Sequence, residues 1–262
     1  MSPEILREID ETGSIATVTL SNPDKLNAVT AAMWRELARV LNLLHDDDAL
    51  RCIVIRGAGS TFAAGGDIEE FLRLRDTHEQ ALEYHGTWVA DALRSISACR
   101  HPCVAMIEGP CIGGGLEIAG QCDLRIAGES ASFGAPIMRL GFSMAPIEMS
   151  GLLAFAGPAT TLEILLEGRL LTAHEAYAKG LLTRVVADDR VEQEAYATAL
   201  RIAAGAPLVA RRHKRLVRRL AGDSSPLSVA EVRESYAYLD SEDYREGLAA
   251  FLAKRPARFR GR

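Results

Sequence analysis

Residues 107–119 read Ile107-Glu-Gly-Pro-Cys-Ile-Gly-Gly-Gly-Leu-Glu-Ile-Ala119. The apolar run leading into them, from His101 to Ile107, reads as a buried strand. Leu116 to Gly120 reads as the first turns of a helix. Between the two stand Gly113, Gly114 and Gly115. A strand, a glycine turn and a helix start leave backbone N–H groups free and aimed at one spot. Such a spot suits a phosphate, or a carbonyl oxygen that is becoming an oxyanion. Glu117 follows one turn into the helix, close enough to set a carboxylate beside it. The glycines match neither a dinucleotide fingerprint nor a phosphate loop ending in Gly-Lys-Ser/Thr. Taken alone they equally describe a tight turn with close helix–strand packing.

A second stretch repeats the pattern. Phe62-Ala-Ala-Gly-Gly-Asp-Ile-Glu-Glu-Phe71 follows the apolar strand Cys52–Arg56 and opens a helix through small residues. Two such turns in one chain can offer two N–H donors to one oxygen.

The surrounding chain fits one large α/β unit. It has 262 residues, of which 48% are hydrophobic, enough for a sizeable core. The net charge of −5 argues against general nucleic-acid binding. No apolar run approaches the roughly 18 residues a membrane span needs, and the early acids of the N-terminus exclude a secretory signal. The five cysteines, an odd number, lack zinc spacing with histidines and mostly sit in apolar runs. They read as reduced, buried thiols of a cytoplasmic protein, and no metal site is expected.

In chain order, residues 4–9 and 14–20 read as a hairpin, and Ser21–Lys25 as a turn. Thr30 is a candidate N-cap for a helix from Ala31 to His45, whose core face carries Met33, Leu37, Val40, Leu41 and Leu44. Thr77 to Cys99 reads as one long amphipathic helix, with His78 and His85 as surface or packing residues. The strand–helix rhythm argues for repeated β-β-α units up to about residue 150. Beyond it strand signals fade: Pro158–Leu166, Ala173–Ala178 and Val191–Ala204 read as helices, and Leu182–Val186 as an extended connector. A basic helix lies between Pro207 and Pro226, and residues 228–254 are helical again. The basic run Arg211–Arg215 with Arg218 and Arg219 is either a solvated helix face or an anion-attracting patch, and lacks the aromatic platform of RNA binders.

Together these pieces resemble the crotonase, or enoyl-CoA hydratase/isomerase, superfamily. The resemblance rests on Asn22–Ala28, Phe62–Asp67, Gly109–Glu117, Cys122–Ala127, Phe133-Gly134 and Phe251–Pro256, in the family's order and spacing over nearly the whole chain. It implies a spiral of β-β-α units over residues 1–200 that carries the coenzyme A thioester site. A helical region over 201–262 would pack on the core and on neighbouring subunits of a homotrimer or homohexamer. It implies an acyl-CoA substrate, with coenzyme A entering as part of the substrate and no permanently bound cofactor, no nucleic acid and no membrane. The implied oxyanion donors are the backbone N–H groups of Gly66 and Gly114. Lys25, Ala28, Ala64, Gly66, Asp67 and Ile68 would border the coenzyme A, and Phe251 and Lys254 would reach a neighbouring subunit's. On sequence alone Lys25 reads as a solvated turn residue rather than a phosphate ligand.

The chain departs from the family at one informative place. Hydration of an enoyl thioester needs water activated near the β-carbon and a proton delivered to the α-carbon. The family's hydratases use two glutamates for this. Glu117 is the first; the second position, after Phe133-Gly-Ala-Pro, holds Ile137. Isoleucine carries no proton, which counts against the two-carboxylate mechanism and against the isomerase that places its base there. The nearest acid downstream is Glu148, either a helix N-terminal residue favoured by the dipole or a substitute acid/base. Three functions stay open: a hydratase/isomerase using Glu117 and Glu148, a decarboxylase or thioester hydrolase relying on the oxyanion site, and a non-catalytic acyl-CoA-binding protein.

Overall fold

The computed structural model describes residues 2–262. Its main sheet has strands β1 (Glu4–Ile9), β2 (Ile15–Ser21), β3 (Cys52–Gly57), β4 (Cys103–Ile107), β6 (Leu124–Gly128) and β9 (Arg184–Val186), in the order β1-β2-β3-β4-β6-β9. Only β1 and β2 pair antiparallel; the remaining neighbours are parallel, with Ile53 opposite Cys103, Val104 opposite Leu124 and Ile126 opposite Arg184. Parallel strands buried on both faces need apolar residues at every position, which is why Cys52-Ile-Val-Ile55 and Cys103-Val-Ala-Met-Ile107 are unbroken apolar runs. Ile53, Ile55 and Ala105 face the main core, while Val54, Val104 and Met106 pack against Val191, Ala195 and Ala199 of helix α8 (Val191–Ala203).

A second, smaller sheet is formed by β5 (Pro110–Ile112), β7 (Ser132–Gly134) and β8 (Leu171–Thr172), ordered β5-β7-β8. Ala63 adds a single bridge to Cys111 on its edge. Each turn of the spiral therefore runs from the main sheet through this second layer and out into a helix. Helix α1 (Ala31–Asp46) fills the interior, capped by Thr30, whose hydroxyl accepts the Met33 N–H at 3.2 Å. Its buried face carries Met33, Trp34, Leu37, Val40, Leu41 and Leu44.

Four expectations need correction. The single helix over Thr77–Cys99 is three pieces: α3 (His78–Glu83), a π-helical segment (Tyr84–Val89) and α4 (Ala90–Ala98), preceded by the short α2 (Phe71–Leu74). The connector at Leu182–Val186 contains β9, which closes the main sheet by pairing with β6. The helical stretch 228–254 is broken into α10 (Val229–Ser235) and α11 (Glu242–Leu252) by a 3-10 turn at Ala237–Asp240. Helix α6 (Pro146–Glu167) starts earlier than Pro158 and has a mean hydropathy of 1.4, so by length and composition it passes for a span. Gly157, at φ 71° inside it and followed by Pro158, breaks it into two pieces. Neither piece reaches the roughly 18 residues a span needs.

Helices α5 (Gly114–Gln121) and α7 (Ala173–Ala178) complete the core. The basic helix α9 (Pro207–Gly222) is fastened by its cations rather than offering them to an anion. Lys214 is nearly buried, with Nζ 2.8 Å from Asp123 and 2.8 Å from the His101 carbonyl, and Arg218 shares Asp123. Arg215 and Arg219 pair with Glu234 and Glu231 of α10. All five cysteines are buried and free, and burial pushes the Cys52 and Cys122 thiols up to about 12.

Candidate active site

The two glycine turns meet. The Val29 N–H donates to the Gly65 carbonyl (2.7 Å) and the Asp67 N–H to the Val29 carbonyl (3.0 Å), which pins the first turn. The Ala63 N–H donates to Pro110 (3.0 Å), the Ile112 N–H to Ala63 (2.9 Å) and the Gly113 N–H to Gly134 (2.8 Å), which pins the second against it. Gly65 and Gly113 have φ of +121° and +49°, conformations that glycine alone adopts without strain. At Gly115 the reason is space: a Cβ there would lie 2.6 Å from the Ala63 carbonyl oxygen. A Cβ on Gly66 would meet only ordinary contacts, Phe71 at 3.4 Å and Tyr84 at 3.6 Å.

Among the described residues, the N–H groups of Gly66 and Gly114 make no hydrogen bond to the chain. Gly114 is the first residue of α5, where the helix leaves its leading N–H groups unpaired. Both glycines line one cavity of about 120 Å³, together with Trp34, Ile112, Glu117, Ile137, Met144 and Glu148.

Glu117 enters this cavity from the first turn of α5. No group of the described chain hydrogen-bonds its carboxyl. Burial, and secondarily the charge of Glu148, hold its pKa well above the ordinary carboxylate range. Glu148 lines the same cavity from the first turn of α6. One oxygen accepts the Ala145 N–H at 3.3 Å, so the residue does cap helix α6 as its position suggests. The other lies 2.5 Å from Nδ1 of His85. Glu148 therefore caps a helix and also lines the cavity that Glu117 lines.

His85, expected as a surface or packing residue, packs edge-on against Tyr84 and in addition contacts Glu148. The π segment presents Tyr84 and His85, consecutive residues, to the same interior, with their rings 5.0 Å apart. Nε2 of His85 lies 3.1 Å from Nη1 of Arg75. That guanidinium sits over the rings of Phe71 (3.8 Å) and Phe142 (4.1 Å), and its burial lowers its pKa. Arg75 also lines the cavity and has no carboxylate partner among the described ion pairs. No local pattern announces either residue: Glu148 lies 63 positions beyond His85.

The remaining expected site residues divide into two groups. Ala64 and Ile68 line the cavity, Ile68 at its exposed rim. Lys25, Ala28 and Asp67 sit beside it rather than in it, and Lys25 is 2.8 Å from Asp67 and 2.8 Å from Glu69. A phosphate would have to compete with two carboxylates for this cation. Phe251 and Lys254, at the end of α11, do not line the cavity; Phe251 is 81% exposed.

The fold and site define a protein of the crotonase type, and comparison with known proteins agrees. Residues 10–262 match the enoyl-CoA hydratase/isomerase family. A probable enoyl-CoA hydratase of Rhizobium meliloti is 35% identical over 97% of both chains. The probable enoyl-CoA hydratase echA8 of Mycobacterium bovis is 34% identical, again over 97% of both. The crystal structure of an enoyl-CoA hydratase/carnithine racemase from Magnetospirillum magneticum superposes with a TM-score of 0.94 at 47% identity, covering 98% of this chain and 97% of that one. The chain belongs to the enoyl-CoA hydratase/isomerase family.

Proposed function

We propose that the protein adds water reversibly across the double bond of a short 2-enoyl-CoA thioester, using Glu117 and Glu148 as its carboxylate pair. The observation that carries this reading is that Glu148 lines the same cavity as Glu117 and Ile137. The second acid is supplied from helix α6 instead of from the position after Phe133-Gly-Ala-Pro.

The two environments separate the roles, as expected of an acid/base pair. Glu117 makes no hydrogen bond and burial keeps its pKa raised, which suits a proton donor; Glu148 accepts the Ala145 N–H and lies against His85, which suits a proton acceptor. Water adds its oxygen to the β-carbon and yields a proton to Glu148, while Glu117 delivers its proton to the α-carbon. The pair ends with its proton on the other member, and one water has been added. The thioester oxygen, which gains negative charge as the β-carbon is attacked, is held by the N–H groups of Gly66 and Gly114. Such donors matter most where charge develops.

A cavity of about 120 Å³ suits an acyl group of a few carbons, since an apolar protein cavity of about 150 Å³ takes up benzene. We further propose a trimer or hexamer as the working form. Helices α6, α9, α10 and α11 leave Leu166, Val217, Val229, Phe251 and Leu252 more than half exposed on a single chain. The direct test is the fall in enoyl absorbance when crotonyl-CoA is mixed with the protein. Turnover that disappears in Glu117→Gln supports hydration; binding without turnover across a panel of acyl-CoAs would refute it in favour of a non-catalytic binder.

A further inference from the structure

We propose that Arg75 and His85 are positioning residues: Arg75 fixes the tautomer of His85, and His85 in that tautomer holds the Glu148 carboxylate toward the cavity. The arrangement is a chain of two contacts. Nη1 of Arg75 lies 3.1 Å from Nε2 of His85, and Nδ1 of His85 lies 2.5 Å from Oε1 of Glu148.

The donors and acceptors leave one consistent assignment. A guanidinium has only N–H groups to offer, so Nε2 must be the bare, accepting nitrogen. The ring proton then stands on Nδ1 and is donated to Glu148. The other tautomer would set Nε2–H against the N–H of Arg75 and a bare nitrogen against a carboxylate. The imidazolium would satisfy Glu148 and still clash at Nε2. Arg75 cannot easily turn aside, because its guanidinium lies over both Phe71 and Phe142.

His85 stands in the π segment directly after the buried Tyr84 and is itself mostly buried. π segments recur at functional sites. The charged and titratable groups that contact His85 are Arg75 from the end of α2, Glu148 from α6 and its own neighbour Tyr84; Glu117 of α5 lines the same cavity. None but Glu148 accepts a proton readily from Nδ1.

The consequence is a carboxylate that takes a proton from water without passing it on to the imidazole. The role of this chain in turnover rests on the hydratase reading; the tautomer does not. The test is ¹⁵N NMR of the protein labelled in its histidines, six in all, with His85 assigned by the signals lost in His85→Asn. In wild type at neutral pH, Nε2 is expected to be unprotonated and Nδ1 protonated. In Arg75→Met, with the donor facing Nε2 gone, the Nε2 and Nδ1 shifts are expected to move toward each other as the two tautomers mix, and kcat to fall with KM nearly unchanged. His85→Leu should lower kcat on the order of 10- to 100-fold, as for other groups that orient a working side chain, with KM nearly unchanged. His85→Asn, whose amide can donate from the Nδ1 position, should recover most of it.

A protonated Nε2 in wild type would overturn the proposal, and this measurement needs no variant to fold. So would an Arg75→Met protein with unchanged histidine signals. The expected tautomer in a protein that turns over no enoyl thioester would support the arrangement and overturn the hydratase reading.

Discussion

Replacing Glu148 by Gln removes a proton acceptor while keeping nearly the same shape. In the wild type one oxygen takes the His85 Nδ1–H and the other the Ala145 N–H at 3.3 Å. Glutamine can keep its carbonyl oxygen toward His85, which leaves its amide N–H facing the Ala145 N–H. The structural loss is one long capping hydrogen bond, about 0.5–1.5 kcal/mol. For a chain of this size that lowers the melting temperature by roughly 2–4 °C per kcal/mol. The chemical loss is larger: a general acid or base is worth about 100- to 10,000-fold in rate, or about 2.7–5.5 kcal/mol of barrier. The variant should therefore melt close to wild type and hydrate crotonyl-CoA at least about 100-fold more slowly.

Its residual activity carries a second signature. Glu117 must hold a proton to act, so activity persists below its raised pKa and falls as pH rises through it. Burial is the main cause of that rise and the Glu148 charge the lesser. Glu148→Gln removes only the lesser cause, so the basic limb should move to lower pH without reaching the ordinary carboxylate range. Stopped-flow absorbance over a pH series measures both effects. A folded variant with kcat/KM close to wild type would show that Glu148 is not the second proton carrier.

Three other outcomes are expected. Gly114→Pro and Gly114→Ala both place a Cβ about 2.9 Å from Trp34, but only proline removes the N–H; the proline variant should be on the order of 100- to 1,000-fold slower than the alanine one, and equal rates would remove Gly114 from the oxyanion site. Ile137→Glu should leave the wild-type rate little changed yet restore on the order of ten-fold to Glu148→Gln, since the cavity then regains a second proton carrier; a double variant no faster than Glu148→Gln would place position 137 out of reach of the substrate. Sedimentation velocity should find a trimer or hexamer at micromolar concentration, and a stable monomer there would contradict assembly through the exposed faces of α6 and the C-terminal helices.

The strands β3 and β4 were readable because burial on both faces leaves an unbroken apolar run. Helix α1 was readable from a cap and a stripe. The two glycine turns announced themselves because a close approach and positive φ admit little else. What escaped was set by partners distant in sequence. The stretch Ala81–Ala98 keeps a helix-like apolar spacing through its π segment, so nothing in the residues marks where the hydrogen-bond register slips. β9 has three residues, partly open, and becomes a strand because β6 offers it an edge. Lys25 reads as a free cation until Asp67 and Glu69, more than forty positions on, fold against it. Ile137 is apparent as a missing acid, but only tertiary structure brings Glu148 to the same cavity.

The π segment has an evolutionary meaning as well as a geometric one. A single π turn is what an α-helix becomes when one residue is inserted and the flanking helix keeps its register, the surplus bulging out locally. The reverse event, loss of one residue between Tyr84 and Val89, would restore an ordinary helix. Each residue of an α-helix turns the chain by about 100°, so the side chains on one side of the deletion would rotate by that much against the other. His85 would leave Glu148, or α4 would leave its seat on α1. A lineage could thus gain or lose the Arg75–His85–Glu148 chain through one in-frame codon, with both glycine turns and Glu117 untouched. Relatives that differ by one residue in this segment are natural variants in which to compare proton chemistry on an otherwise shared scaffold.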